Sequence, residues 1–180
     1  DGTAFGDRHR RGRLPGLPDD DLSADMFALT QEMTEAAGLP AYETSNHARP
    51  GAESLHNLIY WNTGDYAGIG PGAHGRLTLA GQRWATSTPL APMAWLRQVE
   101  STGSGEDPRE ALSVEDQQIE TLMMGLRLRE GVADGDISEN YLININNLVD
   151  AGLLRRSDQR VALTPRGRPL LNAVLREILA

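Results

Sequence analysis

His56, Asn57 and Tyr60 stand together in the run HNLIY and are the side chains best suited to chemistry. In an extended segment His56 and Tyr60 share a face, because side chains alternate with a period of two. A neutral imidazole can ligate a metal, and an amide or a phenol can hydrogen-bond a carboxylate of a ligand or fix the imidazole tautomer. The same residues could instead form a buried network that pins a loop, and the residue types leave both interpretations open.

A glycine-rich run, GIGPGAHG, follows a few residues later and includes Gly68, Gly70 and His74. Glycine is favoured where the main chain turns tightly or approaches a ligand closely. The run lacks the GxGxxG spacing, and Pro71 removes an amide that could contact phosphate. A tight turn at the end of a strand therefore competes with a ligand-binding loop.

Other polar side chains lie around the run YETSNHAR. Glu43 could act as an acid or a base, although a single outward-facing glutamate is the commoner case. Arg49 could pair with a carboxylate or be a surface residue. His9 falls in an arginine-rich opening segment and is expected to be solvated, and the role of His47 stays open.

The elements that must position these residues follow an α/β order. Residues 1–18 predict an exposed loop, and Asp19 or Asp20 can cap a helix that runs to about Ala37. A short buried strand is expected at residues 41–44. One apolar face of this helix contains Leu22, Met26, Leu29 and Met33.

Two extended segments are predicted at residues 58–61 and 66–69, followed by a hairpin over residues 77–86 and a helix over residues 91–100. The polar, glycine-bearing stretch 101–108 is the best candidate for a linker. Beyond it the pattern predicts helices at 113–129, 139–151 and 164–179 and a wing-like hairpin at 152–163. Ser113 and Asp116 form the signature of a capping box.

The fold class predicted from these elements is α/β. Residues 1–100 are expected to be the C-terminal part of an incomplete TIM-like barrel, and residues 108–180 a small, mostly helical, winged-helix-like domain.

The composition excludes several kinds of site. A net charge of −8 and a pI near 5.0 make the chain a poor binder of polyanions. All 17 basic residues are arginine, so a Schiff-base lysine is excluded. The absence of cysteine excludes disulfides and cysteine-ligated iron–sulfur clusters formed by this chain alone. We assign no catalytic residue.

Three ordered motifs, YETSNHARPG, HNLIYW and GDYAGIGPGAHG, resemble the radical S-adenosylmethionine (SAM) proteins related to oxygen-independent coproporphyrinogen III oxidase. Within that group the HNLIY run is most similar to the HemW-type heme chaperones. The resemblance extends from DGTAFGDR to ALTPRGRPLLNAVL. The family's CxxxCxxC loop is absent, so the chain is interpreted as a C-terminal fragment of a radical SAM protein.

This resemblance implies heme, SAM and a [4Fe–4S] cluster in the intact protein, with the cluster not bound by this chain alone. It associates His56, Asn57 and Tyr60 with heme, with His56 a candidate iron ligand. It also places Ala48 and His74 beside SAM, together with the backbone of Gly68 and Gly70.

The function implied is heme binding and delivery, and a true coproporphyrinogen III oxidase of porphyrin biosynthesis is the alternative. A winged-helix nucleic-acid-binding protein is an alternative of another class, because the tail is rich in arginine, but we expect no nucleic-acid partner. The expected partners are the N-terminal part of the same protein and heme-accepting apo-proteins, in the cytoplasm. Membrane-associated recipients and a homodimer stay open.

Overall fold

The computed structural model describes residues 3–180, which form a mixed α/β fold. The first two residues of the predicted opening loop lie outside the described part. The helices are α1 Ala4–Arg10, α2 Asp20–Ala36, α3 Leu55–Trp61, α4 Pro92–Thr102, α5 Val114–Gly125, α6 Leu142–Asp150 and α7 Leu171–Ile178. The strands are β1 His74–Leu79, β2 Gln82–Ser87, β3 Glu110–Ala111, β4 Val132–Ala133, β5 Leu154–Ser157 and β6 Arg160–Leu163.

Both sheets are antiparallel and three-stranded, with the orders β1-β2-β3 and β4-β6-β5. The hairpin predicted at residues 77–86 is confirmed as β1 and β2, which turn at Ala80 and Gly81. Both turn residues have positive φ, at 50° and 81°, which matches the twist of a two-residue hairpin. The hairpin predicted at residues 152–163 is likewise present as β5 and β6, and it turns through Asp158 and Gln159 at φ 52° and 61°.

The predicted helix after Asp19 is confirmed as α2, whose N-terminus is capped by the Asp19 carboxylate at 2.9 Å from the Leu22 amide. The capping box of α5 is also confirmed, since Ser113 and Asp116 each accept a hydrogen bond from the other's backbone amide. These caps satisfy amides that have no partner within a helix.

Several predictions about the first half were wrong. The opening segment is not all loop, because α1 begins after Thr3, whose hydroxyl accepts from the Gly6 amide. The predicted strand at 58–61 is the helix α3, which Ser54 caps. The expected strand at 41–44 forms only isolated bridges, from Ala41 to His47 and from Glu43 to Leu128. The segment predicted at 66–69 forms a single bridge, from Tyr66 to Arg76.

Two helix boundaries in the second half also differ from the prediction. Helix α5 ends at Gly125 rather than Arg129, because the Arg129 amide bonds the Tyr42 carbonyl at 3.0 Å. The final α-helix begins at Leu171 rather than Thr164. Thr164 caps a turn through the Gly167 amide, and a 3-10 turn containing Pro169 separates that turn from α7.

The hydrophobic core lies in the second half of the chain. Twelve buried apolar residues form one cluster, and all of them lie between Leu122 and Ile178. Leu126, Ile145 and Val161 have no exposed surface. Helix α2 buries none of its residues, so the first half is held by hydrogen bonds and smaller contacts.

Candidate functional site

Helix α3 brings His56 and Tyr60 together. The two residues are four apart and lie on a helix rather than on the expected extended segment. Because four residues make about one helical turn, their side chains still share a face. The Tyr60 hydroxyl lies 3.0 Å from His56 Nε2, and the two rings meet edge to face at 4.8 Å. Tyr60 also packs against Tyr66, with ring centroids 4.3 Å apart.

The His56 face of α3 is open to solvent. His56 is exposed, and it is flanked by Leu55 at 78% and Ile59 at 41% exposure. Within residues 3–180, His56 Nδ1 has no protein partner. An imidazole that donates Nε2–H to a phenol oxygen keeps its Nδ1 lone pair available for a metal. This face therefore combines a candidate nitrogen ligand with exposed apolar surface.

Asn57 lies about 100° around α3 from His56 and faces Tyr42. Its amide donates a hydrogen bond of 3.2 Å to the Tyr42 hydroxyl. Tyr42, Leu58 and Ala48 line a cavity of about 590 Å³, a size typical of small-molecule sites. The structure therefore separates the predicted trio, with Asn57 beside this cavity and the His56–Tyr60 pair on the outer face.

The glycine-rich run folds into a turn that closes on β1. A side chain at Gly68 would meet the His74 carbonyl at 2.4 Å, and one at Gly75 would meet the Thr86 hydroxyl at 2.4 Å. Gly70 has a φ of 99°, and its carbonyl accepts a hydrogen bond of 2.6 Å from the Thr88 hydroxyl. His74 is exposed at the start of β1. Close backbone contact thus accounts for two of these glycines, and SAM binding by the run stays a prediction.

Glu43 occupies a position that its sequence context did not predict. The side chain is completely buried, and its Oε1 accepts hydrogen bonds from the Ser45 amide at 2.8 Å and the Asn46 side chain at 2.6 Å. Glu43 Oε2 lies 3.7 Å from Arg127 Nε, and the Arg127 guanidinium stands 4.5 Å from the Trp61 ring. The expectation of an outward-facing glutamate was therefore wrong.

Three unrelated segments meet in this Glu43–Arg127–Trp61 cluster. Local sequence offered no signal for it, because Arg127 lies 84 positions beyond Glu43 and the two meet only through tertiary contacts such as the bridge from Glu43 to Leu128. The cluster attaches the strand-like segment at Glu43 and helix α3 to the second half of the chain. Its role here is to position the segments that carry the candidate site.

The β1–β2 hairpin is fixed by charged side chains that the sequence did not single out. Arg76 Nη2 donates to Glu120 Oε1 at 2.6 Å, and this carboxylate raises the pKa of Arg76 above its ordinary value. Asp65 accepts from the Thr78 amide at 2.7 Å and from its hydroxyl at 2.9 Å. These hydrogen bonds lower the pKa of Asp65.

The remaining candidates are dispersed. His47 is half-buried, with Nε2 3.3 Å from the Gln31 side-chain oxygen on α2, while Arg49 and His9 are exposed. No group of three or more His, Asp or Glu side chains suited to a metal occurs in the part that the structure describes. Across residues 3–180, the helices are also too short or too polar to cross a bilayer.

The chain is similar to several known proteins. Residues 112–170 match the HemN C-terminal domain family. The "Heme chaperone HemW" of Mycobacterium tuberculosis is 35% identical over 99% of this chain and 44% of its own length. The mitochondrial "Radical S-adenosyl methionine domain-containing protein 1" of Danio rerio is 33% identical over 99% of this chain and 43% of its own length.

The predicted resemblance to the HemW-type proteins is confirmed. The chain spans less than half the length of these relatives. A solved structure of coproporphyrinogen III oxidase (HemN) from Escherichia coli, a radical SAM enzyme, shares the fold with a TM-score of 0.66. That likeness has 16% identity and covers 90% of this chain and 42% of the HemN chain.

Proposed function

We propose that this chain is the C-terminal, heme-contacting part of a radical SAM heme chaperone of the HemW type. The observation that carries the proposal is the outer face of α3, where exposed Leu55 and Ile59 flank His56. A histidine nitrogen is one of the usual axial ligands of heme iron, and the macrocycle is bound through apolar contact; this face offers both. Similarity to proteins named heme chaperones supports the proposal independently of the geometry.

His56 is the residue that would ligate the heme iron, and Tyr60 would orient its ring. When the imidazole donates Nε2–H to Tyr60, Nδ1 is free to bind iron. A hydrogen bond on the other ring nitrogen fixes the tautomer of a metal-bound histidine and increases its basicity. Bound heme would supply the redox-active iron, and the chain would hold the heme for transfer to an apo-protein. Whether the recipients are membrane-associated, and whether the chain forms a homodimer, stay open.

For SAM, the proposed contacts are Ala48 and the backbone at Gly68 and Gly70, with His74 nearby. Ala48 lines the 590 Å³ cavity, which fits a small molecule. A [4Fe–4S] cluster does not fit this chain, because it has no cysteine to supply thiolates. We propose that another part of the protein holds the cluster.

We further propose that residues 1–100 complete an α/β barrel with the N-terminal part of the same protein, in the cytoplasm. The outer face of α2, formed by Leu22, Met26, Leu29 and Met33, supports this because an uncovered apolar stripe is unusual on a helix. Residues 108–180 are proposed as a winged-helix-like domain, from the order α5, β4, α6, β5, β6, α7. We assign it a packing role, since α7 buries Leu171, Val174 and Ile178.

The test of the heme proposal compares His56→Ala with His9→Ala, a matched change at another exposed histidine. Titration with hemin, followed in the Soret band, should show weaker binding or a shifted band for His56→Ala only. Tyr60→Phe should bind heme with an altered Soret position, because the ring loses its hydrogen-bond partner. If both histidine variants bind as the parent does, α3 is a structural helix and the proposal fails.

A further inference from the structure

A second cavity, separate from the His56 face, lies between α2 and the second half of the chain. It has a volume of about 500 Å³. Its α2 wall is apolar at Ala24, Phe27 and Ala28 and polar at Gln31 and Glu35. The opposite wall carries three arginines, Arg129, Arg155 and Arg168, and we call this space the arginine cavity.

The three arginines lack acidic partners. Within residues 3–180, none of them forms an ion pair with a carboxylate. Arg155 donates to the Ser157 hydroxyl at 2.9 Å and to the Arg129 carbonyl at 3.3 Å. The side chains of Arg129 and Arg168 make no hydrogen bond to the described protein. Glu35 is the one acidic residue among those lining the cavity, and it is exposed.

The surroundings of Arg168 lower its pKa. Burial lowers the pKa of Arg168 first, and the neighbouring charges of Arg129 and Arg155 lower it further. Glu35 and Glu43 act in the opposite direction but do not reverse the effect. An arginine still keeps its proton at neutral pH, so the cavity holds like charges that repel one another.

A bound anion would relieve this repulsion. Guanidinium groups bind carboxylates and phosphates through paired, charge-assisted hydrogen bonds. The apolar wall opposite them suits a ligand whose remainder is hydrophobic. The cavity also shares Ala41, Arg129 and Arg155 with the 590 Å³ cavity that reaches Tyr42 and Ala48, so one ligand could extend along both.

We propose that the arginine cavity binds a small amphipathic oxyanion, with its carboxylate or phosphate at Arg129, Arg155 and Arg168 and its apolar body against Phe27. This goes beyond the proposed heme face, because His56, Asn57 and Tyr60 do not line the cavity. The site therefore stands or fails independently of heme binding.

The experiment uses the 180-residue chain and the fluorescent anion 1-anilinonaphthalene-8-sulfonate. The neutral analogue N-phenyl-1-naphthylamine reports apolar binding alone, including binding to the outer face of α2. Arg168→Gln should weaken binding of the sulfonate by about tenfold, the effect expected for a lost charge-assisted hydrogen bond. It should leave the neutral analogue unaffected, and Arg97→Gln on α4 should change neither.

Thermal unfolding separates a binding role from a structural one. Without ligand, Arg168→Gln should melt at the same temperature or higher, since it removes a repelling charge, and should lose the stabilisation that the sulfonate gives the parent. Displacement by benzoate or by phenyl phosphate then identifies the preferred head group. Arg129→Gln, at an exposed position, is the second variant if Arg168→Gln does not fold.

Three results would overturn the proposal. They are undiminished sulfonate binding in both arginine variants, an equal loss in Arg97→Gln, and displacement by neither competitor. A lower melting temperature without ligand in both variants would assign the arginines to folding instead.

Discussion

The region that carries the candidate site and the region that follows it bury their apolar side chains to very different degrees. In residues 112–180 one cluster of twelve side chains forms a closed core. In residues 3–111 the buried apolar side chain is Ala41, and the outer face of α2 is exposed. The candidate heme face also lies in this open region. Residues 112–180, the closed region, therefore have a core of their own, whereas residues 3–111, the open region, leave most of their large apolar side chains exposed.

Truncating a core side chain should break the closed region most severely. Leu126 has 0% exposure, so Leu126→Ala should lower the free energy of unfolding by about 2 to 5 kcal/mol. Leu29→Ala, at 55% exposure on α2, should change it by less than about 0.5 kcal/mol. Urea unfolding followed by far-UV circular dichroism measures both. Equal losses would show that the α2 face contributes to the core.

The tryptophans allow the two regions to be followed separately. Trp61, Trp84 and Trp95 all lie in residues 3–111, so their fluorescence reports on the open region and, through the contact of Trp61 with Arg127, on its junction with the closed region. If the regions unfold independently, Leu126→Ala should shift the circular dichroism transition more than the fluorescence transition. Coincident shifts would instead show one cooperative unit.

Removing Arg127 should weaken the connection between the regions. Arg127→Met leaves the Glu43 carboxylate buried without its counter-charge, which should cost about 1 to 3 kcal/mol. Adding Glu43→Gln should restore part of that loss, because the pair is coupled. Arg97→Met on the exposed face of α4 is the control. An Arg127→Met protein as stable as the control would contradict a linking role for the cluster.

The outer face of α2 should promote self-association of the isolated chain. Leu29→Glu places a charge in the middle of this apolar stripe and should weaken association by at least about tenfold, or about 1.4 kcal/mol. Ser23→Glu adds the same charge at an exposed position beside the stripe. Sedimentation velocity over a concentration series distinguishes them. A parent chain that stays monomeric throughout would refute this expectation.

Local signals in the sequence predicted the elements they control. The Ser113–Asp116 capping box and the Asp19 cap identified the starts of α5 and α2, because both depend on neighbours within three residues. The strand assigned to residues 58–61 failed for a related reason. Ile59, Tyr60 and Trp61 are residue types that favour strands, but the N-terminal cap at Ser54 stabilises a helix here.

The candidate site shows the same division between local and distant information. The shared face of His56 and Tyr60 was predictable, because a spacing of four residues places both side chains on one side of either a helix or a strand. Their contact at 3.0 Å was not, because it requires the helix rather than the expected extended segment. The Glu43 cluster and the arginine cavity were not predictable either. Each gathers side chains from segments far apart in the chain, and only the folded topology determines which of them meet.

The smallest expected effect concerns acid sensitivity, and it too distinguishes the regions. Hydrogen bonds from the Thr78 amide, and next from its hydroxyl, lower the pKa of Asp65, while those from the Ser113 hydroxyl and then its amide lower the pKa of Asp116. A carboxyl group whose pKa is lower in the folded chain contributes stability above its unfolded value of about 3.9. That contribution disappears as the pH falls through the folded pKa.

Asp65→Asn should therefore flatten the acid dependence of the fluorescence transition below about pH 4, since Asp65 fixes the hairpin near Trp84. Asp116→Asn should instead flatten the circular dichroism transition, because Asp116 caps a helix of the closed region. Both carboxylates are exposed, so each shift should be small and should diminish with added salt. Each variant serves as the control for the other. If Asp65→Asn altered both transitions equally, the two regions would share a single unfolding equilibrium. The closed and open regions would then differ in the burial of their side chains but not in their stability.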